Sequence, residues 1–315
     1  VLTSRGLGDV YKRQANKLLL IDIGGTNIRH AISSSDSDDI TNINKTAFND
    51  MDDFEEKLKN LIYENNVDIL IASVAGPKVN NSISMTNRNY VFNSTKILNK
   101  FNLKECHLLN DWESIAHSYD YVKDSIKPIK EGKSFNKNTL YLGPGTGLGA
   151  AISIDNQVVL ATEIGNTTNS SQYLMKNFNI ENGNLLTLEN VISGKSISNI
   201  YKLKTGLSIS SEEIFMRFAQ HEPIAEEIIN GFIKSLAQLL SDLALTFNTG
   251  NGILLAGSLI RSIYPIIDRG DFYKSFINYK KESHKNMLDL ISVGVITKKR
   301  TPLYGNLNFY KKLKK

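Results

Sequence analysis

Residues 17–27 of this chain read KLLLIDIGGTN, and this stretch decides the fold. Lys17–Ile23 is a short apolar run that contains Asp22 and stops at Gly24, a pattern typical of a buried strand that meets a tight turn. Ile28–Ser33 predicts a second strand, so the two strands form a hairpin across the glycines. Asp22 then lies at the mouth of that turn, which makes the hairpin a candidate site as well as a structural element.

The remainder of the first 115 residues alternates between helix and strand patterns. Met51–Asn65 carries apolar residues at helical spacing, and Asp68–Val74 is a second buried strand. Glu105–Leu109 is a strand that delivers an Asn-Asp pair to its carboxyl end, and Trp112–Tyr119 follows as a helix. Alternation of this kind predicts an α/β unit.

A second set of elements follows in the same style. The predicted strands are Thr139–Leu142, Ala150–Ile154, Gln157–Thr162, Ile253–Ala256 and Ile291–Ile296. The longest predicted helix is Pro223–Asn248, in which Pro223 suits the first turn and Gly250 the end. Leu303–Leu313 predicts a final helix. The chain is also rich in asparagine, which we attribute to the base composition of the gene rather than to chemistry.

Composition places the chain among globular proteins of the reducing cytoplasm. Its 315 residues are 41% hydrophobic and 22% charged, and this length is enough for two packed domains. The single cysteine, Cys106, excludes an internal disulfide framework and a clustered-cysteine zinc site. No apolar run approaches the roughly 18–20 residues that a membrane span needs, so we expect no membrane partner.

The basic charge of the chain is confined to its ends. Residues 298–315 hold seven cations and no acid, so the formal charge of +5 conceals an acidic body. A nucleic-acid partner is therefore not expected, because a binder shows its basic face within the folded domain. Residues 1–14 lack any periodicity and resemble translated adapter sequence, so we expect residues 1–16 to be a non-native or disordered leader.

Three strand-then-glycine turns are candidate anion sites. They are Asp22–Asn27 (DIGGTN), residues 143–149 (GPGTGLG) and residues 256–258 (AGS). Glycine permits positive φ and a close approach of backbone amides to an anion, and consecutive amides form an anion-binding nest. One such turn alone is explained equally well by a hairpin. Two that carry threonine among the glycines favour phosphate binding, although neither has the P-loop or dinucleotide spacing.

Seven separated motifs give the pattern a family likeness. They are IDIGGTNIRHAIS (21–33), SMTNRNYVF (84–92), LLND (108–111), GPGTGLGAA (143–151), TEIGN (162–166), LENVISG (188–194) and ILLAGSLI (253–260). In this order and spacing, from about residue 17 to residue 313, the chain resembles the bacterial glucokinase family. That family lies within the superfamily of hexokinases, actin and heat-shock ATPases.

The resemblance implies an α/β protein with the two-domain actin-like, ribonuclease H-like ATPase fold and an interdomain cleft. The implied small domain is 17–115 together with 302–315, and the implied large domain is 116–301. The implied reaction is ATP-dependent phosphorylation of glucose, or of a close hexose, at the 6-hydroxyl. ATP and Mg²⁺ are the implied cofactors, and a cytoplasmic homodimer is the implied assembly.

Residue roles follow motif by motif. The resemblance implies Asp111 as the catalytic base, a role for which a carboxylate at the end of a strand is suited. A helix cap is the alternative for Asp111. Asp22 is suited to orient Mg²⁺ through water, since that ion prefers few carboxylates. The implied sugar contacts are Asn87, Asn110, Asp111, Glu163, Asn166 and Glu189. The implied nucleotide contacts are Gly24, Gly25, Thr26, Asn27, Gly145, Thr146, Gly147, Gly257 and Ser258.

Three positions depart from the family pattern. Asn166 stands where the family has a sugar-contacting histidine, Ser258 where a second glycine is usual, and Lys195 where a proline is usual. The first departure keeps open a kinase for a different hexose. A non-catalytic sugar sensor on the same scaffold is a second alternative, and an ATPase of the actin or chaperone type is a third. The presence of both Asp22 and Asp111 favours an enzyme.

Overall fold

A computed structural model describes residues 15–86, 88–168, 171–180 and 186–315. The prediction for the leader lies outside the described residues over 1–14, and so does the predicted sugar contact Asn87. Residues 15 and 16 belong to the described part, where the Asn16 amide donates to Ser35 Oγ at 3.0 Å.

The first sheet has five strands in the order β3-β2-β1-β4-β8. Its strands are β1 (Lys17–Ile23), β2 (Asn27–Ser34), β3 (Thr41–Ala47), β4 (Ile69–Val74) and β8 (Glu105–Asn110). β1 pairs antiparallel with β2 and parallel with β4, and β4 pairs parallel with β8. The carboxyl ends of β1, β4 and β8 therefore meet at one edge of the sheet, beside the first glycine turn.

The second sheet has six strands in the order β12-β11-β10-β13-β14-β9. Its strands are β9 (Ile126–Lys130), β10 (Thr139–Pro144), β11 (Leu148–Ile154), β12 (Val158–Thr162), β13 (Gly252–Leu255) and β14 (Val293–Ile296). β10 pairs antiparallel with β11 and parallel with β13. Apart from β9, the order and directions repeat those of the first sheet. A small antiparallel sheet is formed by β5 (Lys78–Val79), β6 (Ser82–Ser84) and β7 (Val91–Asn93).

Helices cover the faces of these sheets. The described α-helices of the first part are α1 (Met51–Glu64), α2 (Ser94–Phe101), α3 (Asp111–His117) and α4 (Tyr119–Val122). Those that follow are α5 (Ser171–Met175), α6 (Leu188–Val191), α7 (Gly194–Thr205), α8 (Ser211–Ala219), α9 (Pro223–Phe247), α10 (Ser258–Ile263), α11 (Arg269–Phe276), α12 (Glu282–Leu290) and α13 (Thr301–Leu313). Short 3₁₀ turns are Lys123–Ser125, Ile164–Asn166, Lys176–Phe178 and Tyr264–Ile266.

The long helix α9 forms the centre of the second core. It passes a membrane-span test by length and composition, but 78% of its most apolar window is buried inside the protein. Such burial is what a core helix shows. The helix spans Pro223–Phe247, within one residue of the predicted range, but Gly250 is not the residue that caps it. Asn248 caps it in the left-handed conformation at φ 50°, two residues before Gly250, because asparagine tolerates that conformation.

The final helix packs on the first sheet, far from its neighbours in sequence. Leu303, Leu307 and Tyr310 share a buried cluster with Leu18 and Leu20 of β1. The basic C-terminal end lies against acidic groups, in the pairs Lys311–Asp38, Lys312–Asp120 and Lys314–Glu105. The basic terminus therefore packs onto the protein's own acidic surface. The division of domains at residues 115/116 and 301/302 stays a prediction.

Asparagine has a conformational role in this chain. Seven asparagines adopt positive φ among the described residues: Asn42, Asn66, Asn80, Asn102, Asn156, Asn179 and Asn248. Asn102 caps α2 in the same way that Asn248 caps α9. Asparagine is favoured there because its short polar side chain makes the left-handed conformation less costly. Base composition alone is thus an incomplete explanation of the asparagine content.

Candidate active site

The first glycine turn follows directly from a strand that is buried from Leu18 to Ile23. β1 ends at Ile23, and the Gly24 amide donates to the Asn27 carbonyl at 2.9 Å to close the turn. Thr26 is exposed at the tip, and Asn27 Nδ2 donates to Thr26 Oγ1 at 2.8 Å. The turn therefore presents its predicted nucleotide contacts together at one end of the sheet.

Asp22 is buried next to this turn and is paired. Only 7% of the residue is exposed, and Arg29 Nη1 donates to Asp22 Oδ2 at 2.8 Å from the neighbouring strand. The Ser73 hydroxyl lies 3.5 Å from Asp22 Oδ1. Burial raises the pKa of Asp22, while the nearby Arg29 charge opposes that rise. A desolvated carboxylate of this kind is stabilised by a nearby cation.

Arg88 connects the motif 84–92 to the first turn. Its Nε donates to the Gly25 carbonyl at 2.6 Å, and its Nη1 donates to the Asn49 carbonyl at 2.8 Å. The guanidinium also lies over the Phe48 ring, 4.5 Å from its centroid. One side chain therefore ties the predicted sugar loop to the predicted phosphate turn. Sequence reasoning did not identify Arg88, although it lies inside a quoted motif.

The second glycine turn is held by backbone contacts. The Gly145 amide donates to the Gly147 carbonyl at 2.7 Å, which closes the turn. The first amide of α7, that of Gly194, donates to the Gly145 carbonyl at 2.7 Å. Gly145 and Thr146 are exposed at the tip. This turn thus lies against the N-terminus of a twelve-residue helix, whose dipole favours an anion.

Positive φ does not explain the glycines at positions 24, 145 and 147, and a Cβ would have room at the first two. Neither Gly24 nor Gly145 nor Gly147 has a positive φ, so the expectation that the turns exploit that freedom was wrong there. A Cβ on Gly147 would lie 2.6 Å from Glu189 Oε2, so the flexible end of that side chain would have to shift to admit another residue. The third turn does use the freedom, because Gly257 has φ 115° at the start of α10. Ser258, the residue that follows it, is exposed.

The start of α3 separates the roles of Asn110 and Asp111. Asn110 is the N-cap, and its Oδ1 accepts from the Trp112 amide at 2.8 Å and the Glu113 amide at 3.3 Å. Its Nδ2 donates to the Gly76 carbonyl at 2.9 Å. The cap that sequence reasoning held open for Asp111 therefore belongs to Asn110. Most of the hydrogen-bonding capacity of Asn110 is used inside the protein, which weakens the expectation of a direct sugar contact.

Asp111 has the electrostatics of a general base. Burial, together with the negative charges of Asp22 and Glu163, raises the pKa of Asp111 to about 7, although the hydrogen bond from the Trp112 backbone amide opposes the rise. That amide donates to Asp111 Oδ1 at 3.0 Å. A carboxylate that titrates near neutrality is matched to proton transfer at physiological pH.

The carboxylates of the second sheet lie close to one another. Glu163 follows β12 at the start of a 3₁₀ turn. Partial burial raises the pKa of Glu163, a side-chain hydrogen bond with Asn166 lowers it, and the charge of Glu189 raises it. The charges of Glu163 and Asp22 both raise the pKa of Asp111. Carboxylates that follow or belong to strands of both sheets therefore act on the same group. No group of three or more histidine, cysteine or acidic residues is arranged to hold a metal within the described residues.

Two sheets of matching strand order, a glycine turn on each and the carboxylates of Asp22 and Asp111 close by are typical of sugar kinases with the actin-like ATPase fold. Solved structures share this fold. A glucokinase from an Antarctic psychrotroph has a TM-score of 0.75 at 22% identity, over 94% of this chain and 99% of that one. The glucokinase of Balamuthia mandrillaris in complex with glucose has a TM-score of 0.75 at 17% identity, over 96% and 95%.

The family model for glucokinase matches residues 19–313, and the chain belongs to the glucokinase family. The curated glucokinase of Colwellia psychrerythraea is 29% identical over 91% of this chain and 94% of its own length. Membership confirms the predicted family, the two-domain actin-like fold and the reaction class, which is ATP-dependent phosphorylation of a hexose by a phosphotransferase.

Proposed function

We propose that this chain transfers the γ-phosphoryl group of ATP to the 6-hydroxyl of glucose, with Asp111 as the base. The observation that carries the proposal is the environment of Asp111, whose pKa of about 7 reflects burial next to Asp22 and Glu163. The carboxylate accepts the proton of the 6-hydroxyl as that oxygen attacks the γ-phosphorus, and ADP leaves. Its own hydrogen bond from the Trp112 amide fixes which oxygen faces the substrate.

Sugar recognition is assigned to Glu163, Glu189 and Asn166. Carboxylates accept hydrogen bonds from sugar hydroxyls, and a site built in this way rejects analogues that leave the carboxylates unpaired. The contact between Asn166 and Glu163 orients that carboxylate. Asn110 supports the site by capping α3 and holding the Gly76 carbonyl. Asn87 remains a proposed contact from the family motif alone.

Nucleotide binding is assigned to the three turns. The first two turns offer exposed threonines and backbone amides to the polyphosphate, and the third offers Gly257 and Ser258 on the adenosine side. The N-terminus of α7 adds a favourable dipole behind the second turn.

A magnesium ion fits the oxygen chemistry next to the first turn. Asp22 is a desolvated carboxylate with a raised pKa, and Mg²⁺ binds through one or two carboxylates plus water and phosphate oxygens. Asp22 would hold the ion, with Ser73 next to its second oxygen. When bound, the ion neutralises the charge of the polyphosphate.

The wider setting follows the family. We propose a cytoplasmic homodimer that acts at the entry of hexose into glycolysis. Its small domain is 17–115 with 302–315 and its large domain is 116–301, with the cleft between them. The contact of α13 with β1 supports the return of the C-terminus to the small domain.

The test is turnover of Asp111→Asn, a change that keeps size and hydrogen-bonding atoms. In an assay that couples ADP release to a hexose panel, we expect a loss of at least about 10²-fold in kcat with little change in glucose binding. The matched control is Asp124→Asn, which removes an exposed carboxylate. Near-normal turnover of folded Asp111→Asn would assign the proton to another group. ATP hydrolysis without hexose dependence would reject the kinase.

A further inference from the structure

Trp112 lies between the base and the second glycine turn. It follows Asp111 in sequence, and its indole packs against the backbone of both strands that carry the turn. A Cβ on Gly143 of β10 would lie 2.5 Å from Trp112 Cη2, and a Cβ on Gly149 of β11 would overlap Trp112 Nε1. The indole thus fills the volume that side chains at these two paired positions would occupy.

The same residue holds the base through its backbone. The Trp112 amide donates to Asp111 Oδ1 at 3.0 Å and to Asn110 Oδ1 at 2.8 Å. The indole and this amide belong to one residue in the first turn of α3. A shift of the strands under the indole must therefore move the amide, and with it the carboxylate that the amide fixes.

The strands under the indole carry the proposed polyphosphate contacts. Gly143 lies two residues before Gly145, and Gly149 lies two residues after Gly147. The turn itself is closed by one backbone hydrogen bond, in which the Gly145 amide donates to the Gly147 carbonyl. An anion bound by this turn would therefore contact the hairpin that packs against Trp112.

We propose that Trp112 is a positioning residue that relays occupancy of the second glycine turn to the Asp111 carboxylate. Nucleotide bound at the turn fixes the position of the hairpin, and the hairpin fixes the position of the indole. The Trp112 amide then fixes the position of the Asp111 carboxylate. The inference rests on the proposed role of Asp111, although its spectroscopic test does not.

Trp112 is the single tryptophan of the chain, so its fluorescence reports this contact directly. A non-hydrolysable ATP analogue with Mg²⁺ is titrated into the full-length protein while emission and acrylamide quenching are followed. We expect a saturable change in emission that is absent with Mg²⁺ alone. Unchanged emission and quenching at a nucleotide concentration that binds by calorimetry would overturn the relay.

Two variants separate positioning from structure. Trp112→Phe keeps an aromatic ring against the glycines, and we expect kcat within about threefold of the wild type. Trp112→Ala removes the contact, and we expect at least about a tenfold loss in kcat with glucose KM within about threefold, because misplacement of the base lowers the chemical step. The control is Tyr119→Ala, which trims the same buried cluster away from the glycines.

The outcomes distinguish the two proposals. A kcat for Trp112→Ala equal to that of Tyr119→Ala overturns the relay, and so does a loss confined to KM. If Asp111→Asn keeps its turnover while the fluorescence change is present, the base assignment fails and the contact stands. If Asp111→Asn loses turnover and Trp112→Ala does not, the base assignment stands and the relay fails.

Discussion

The hairpins of the two sheets have the same place in the fold and different side chains at the same register. The first hairpin joins β1 to β2 and the second joins β10 to β11, and in each the first of the two strands also pairs with a parallel neighbour. Next to the closing pair, the first hairpin has Asp22 opposite Arg29, and the second has Gly143 opposite Gly149. The first therefore carries an ion pair where the second carries no side chain at all.

The neighbours explain this difference. The ion pair of the first hairpin lies in the region where Asp22 acts electrostatically on Asp111. The glycine pair of the second hairpin lies under the indole of Trp112. The first turn of α3 thus presents a carboxylate to one hairpin and an aromatic ring to the other. The two hairpins therefore differ at the same register because one lies in the field of the Asp111 carboxylate and the other packs against the Trp112 indole.

The turns are also anchored differently. In the first, a side chain holds the Gly25 carbonyl, since Arg88 donates to it from the motif 84–92. In the second, the backbone amide of Gly194 holds the Gly145 carbonyl. Substitution of Arg88 can therefore loosen the first turn without changing the residues of the turn itself. The second turn has no such dependence on that side chain, because a backbone amide holds it.

The strongest test of the comparison is Asp22→Asn. The asparagine side chain has nearly the same shape as that of Asp22 and still lies next to Arg29. It lacks the negative charge that distinguishes the first hairpin from the second. We expect about a 10²-fold loss in kcat/KM for ATP, the size typical of one lost electrostatic contact in a preorganised site. Steady-state kinetics over a range of Mg²⁺ concentrations measure it. A kcat/KM for ATP equal to that of the wild type would show that the charge of this hairpin is dispensable.

Adding a methyl group to the second hairpin tests its need for room. Gly149→Ala places a Cβ inside the Trp112 ring, and overpacking of this kind costs about 1–3 kcal/mol. The matched control is Gly145→Ala, where no atom lies within 4 Å of the new Cβ. Urea unfolding compares their free energies of unfolding. Equal free energies of unfolding for the two variants would mean that the indole moves aside freely. The second hairpin would then not need glycine to make room for it.

The segments that follow β3 and β12, the edge strands next to the two hairpins, sharpen the contrast. After β3 the chain enters the core at Phe48, whereas after β12 it reaches Glu163 and the exposed Asn166. Asn166→His restores the residue that the family has there, and we expect glucose to bind about tenfold more tightly, since a good contact contributes up to about 1.5 kcal/mol and about 1.4 kcal/mol is tenfold in affinity. Calorimetry with glucose and with other hexoses measures this. Weaker glucose binding together with tighter binding of another hexose would identify a pocket built for that sugar.

Arg88→Ala tests the side-chain anchor of the first turn. Loss of its hydrogen bonds to backbone carbonyls should loosen the turn and raise the KM values for ATP and glucose by roughly three- to tenfold. Arg88→Lys keeps the charge but not the two-pronged geometry, so we expect it to recover little. If only the glucose KM rises, Arg88 serves the sugar loop and does not couple it to the turn.

The smallest expected effect is on stability and has a defined pH dependence. The folded pKa of Asp111 is raised to about 7, so the wild type loses stability as pH rises from the unfolded value of 3.8 through 7. Asp111→Asn escapes this loss, and we expect its Tm to exceed that of the wild type by roughly 2–4 °C at pH 8. The gain should shrink toward pH 5. Calorimetry without nucleotide or metal checks it, and a constant gain at all pH values would point to packing instead of charge.

Periodicity and turn chemistry predicted the larger elements well. The run Lys17–Ile23 is β1 as predicted, because seven residues of apolar pattern ended by an acid and glycines leave few alternatives. The strand β3, with mostly exposed polar residues, was missed because it lacks an apolar face. The end of α9 was predicted to within one residue, but its cap is Asn248 and not Gly250, because asparagine tolerates the left-handed conformation.

The sequence by itself determined the strand-and-turn motifs, their order and the family that they resemble, because these depend on residues adjacent in the chain. Tertiary structure alone decided which of those residues meet. It assigned the helix cap to Asn110, placed Arg88 on the first turn and brought Trp112 against Gly143 and Gly149. It also raised the pKa of Asp111, since desolvation and charges from both sheets act only when the chain has folded. Long-range packing and burial leave no local signal in the sequence, which is the physical reason for this division.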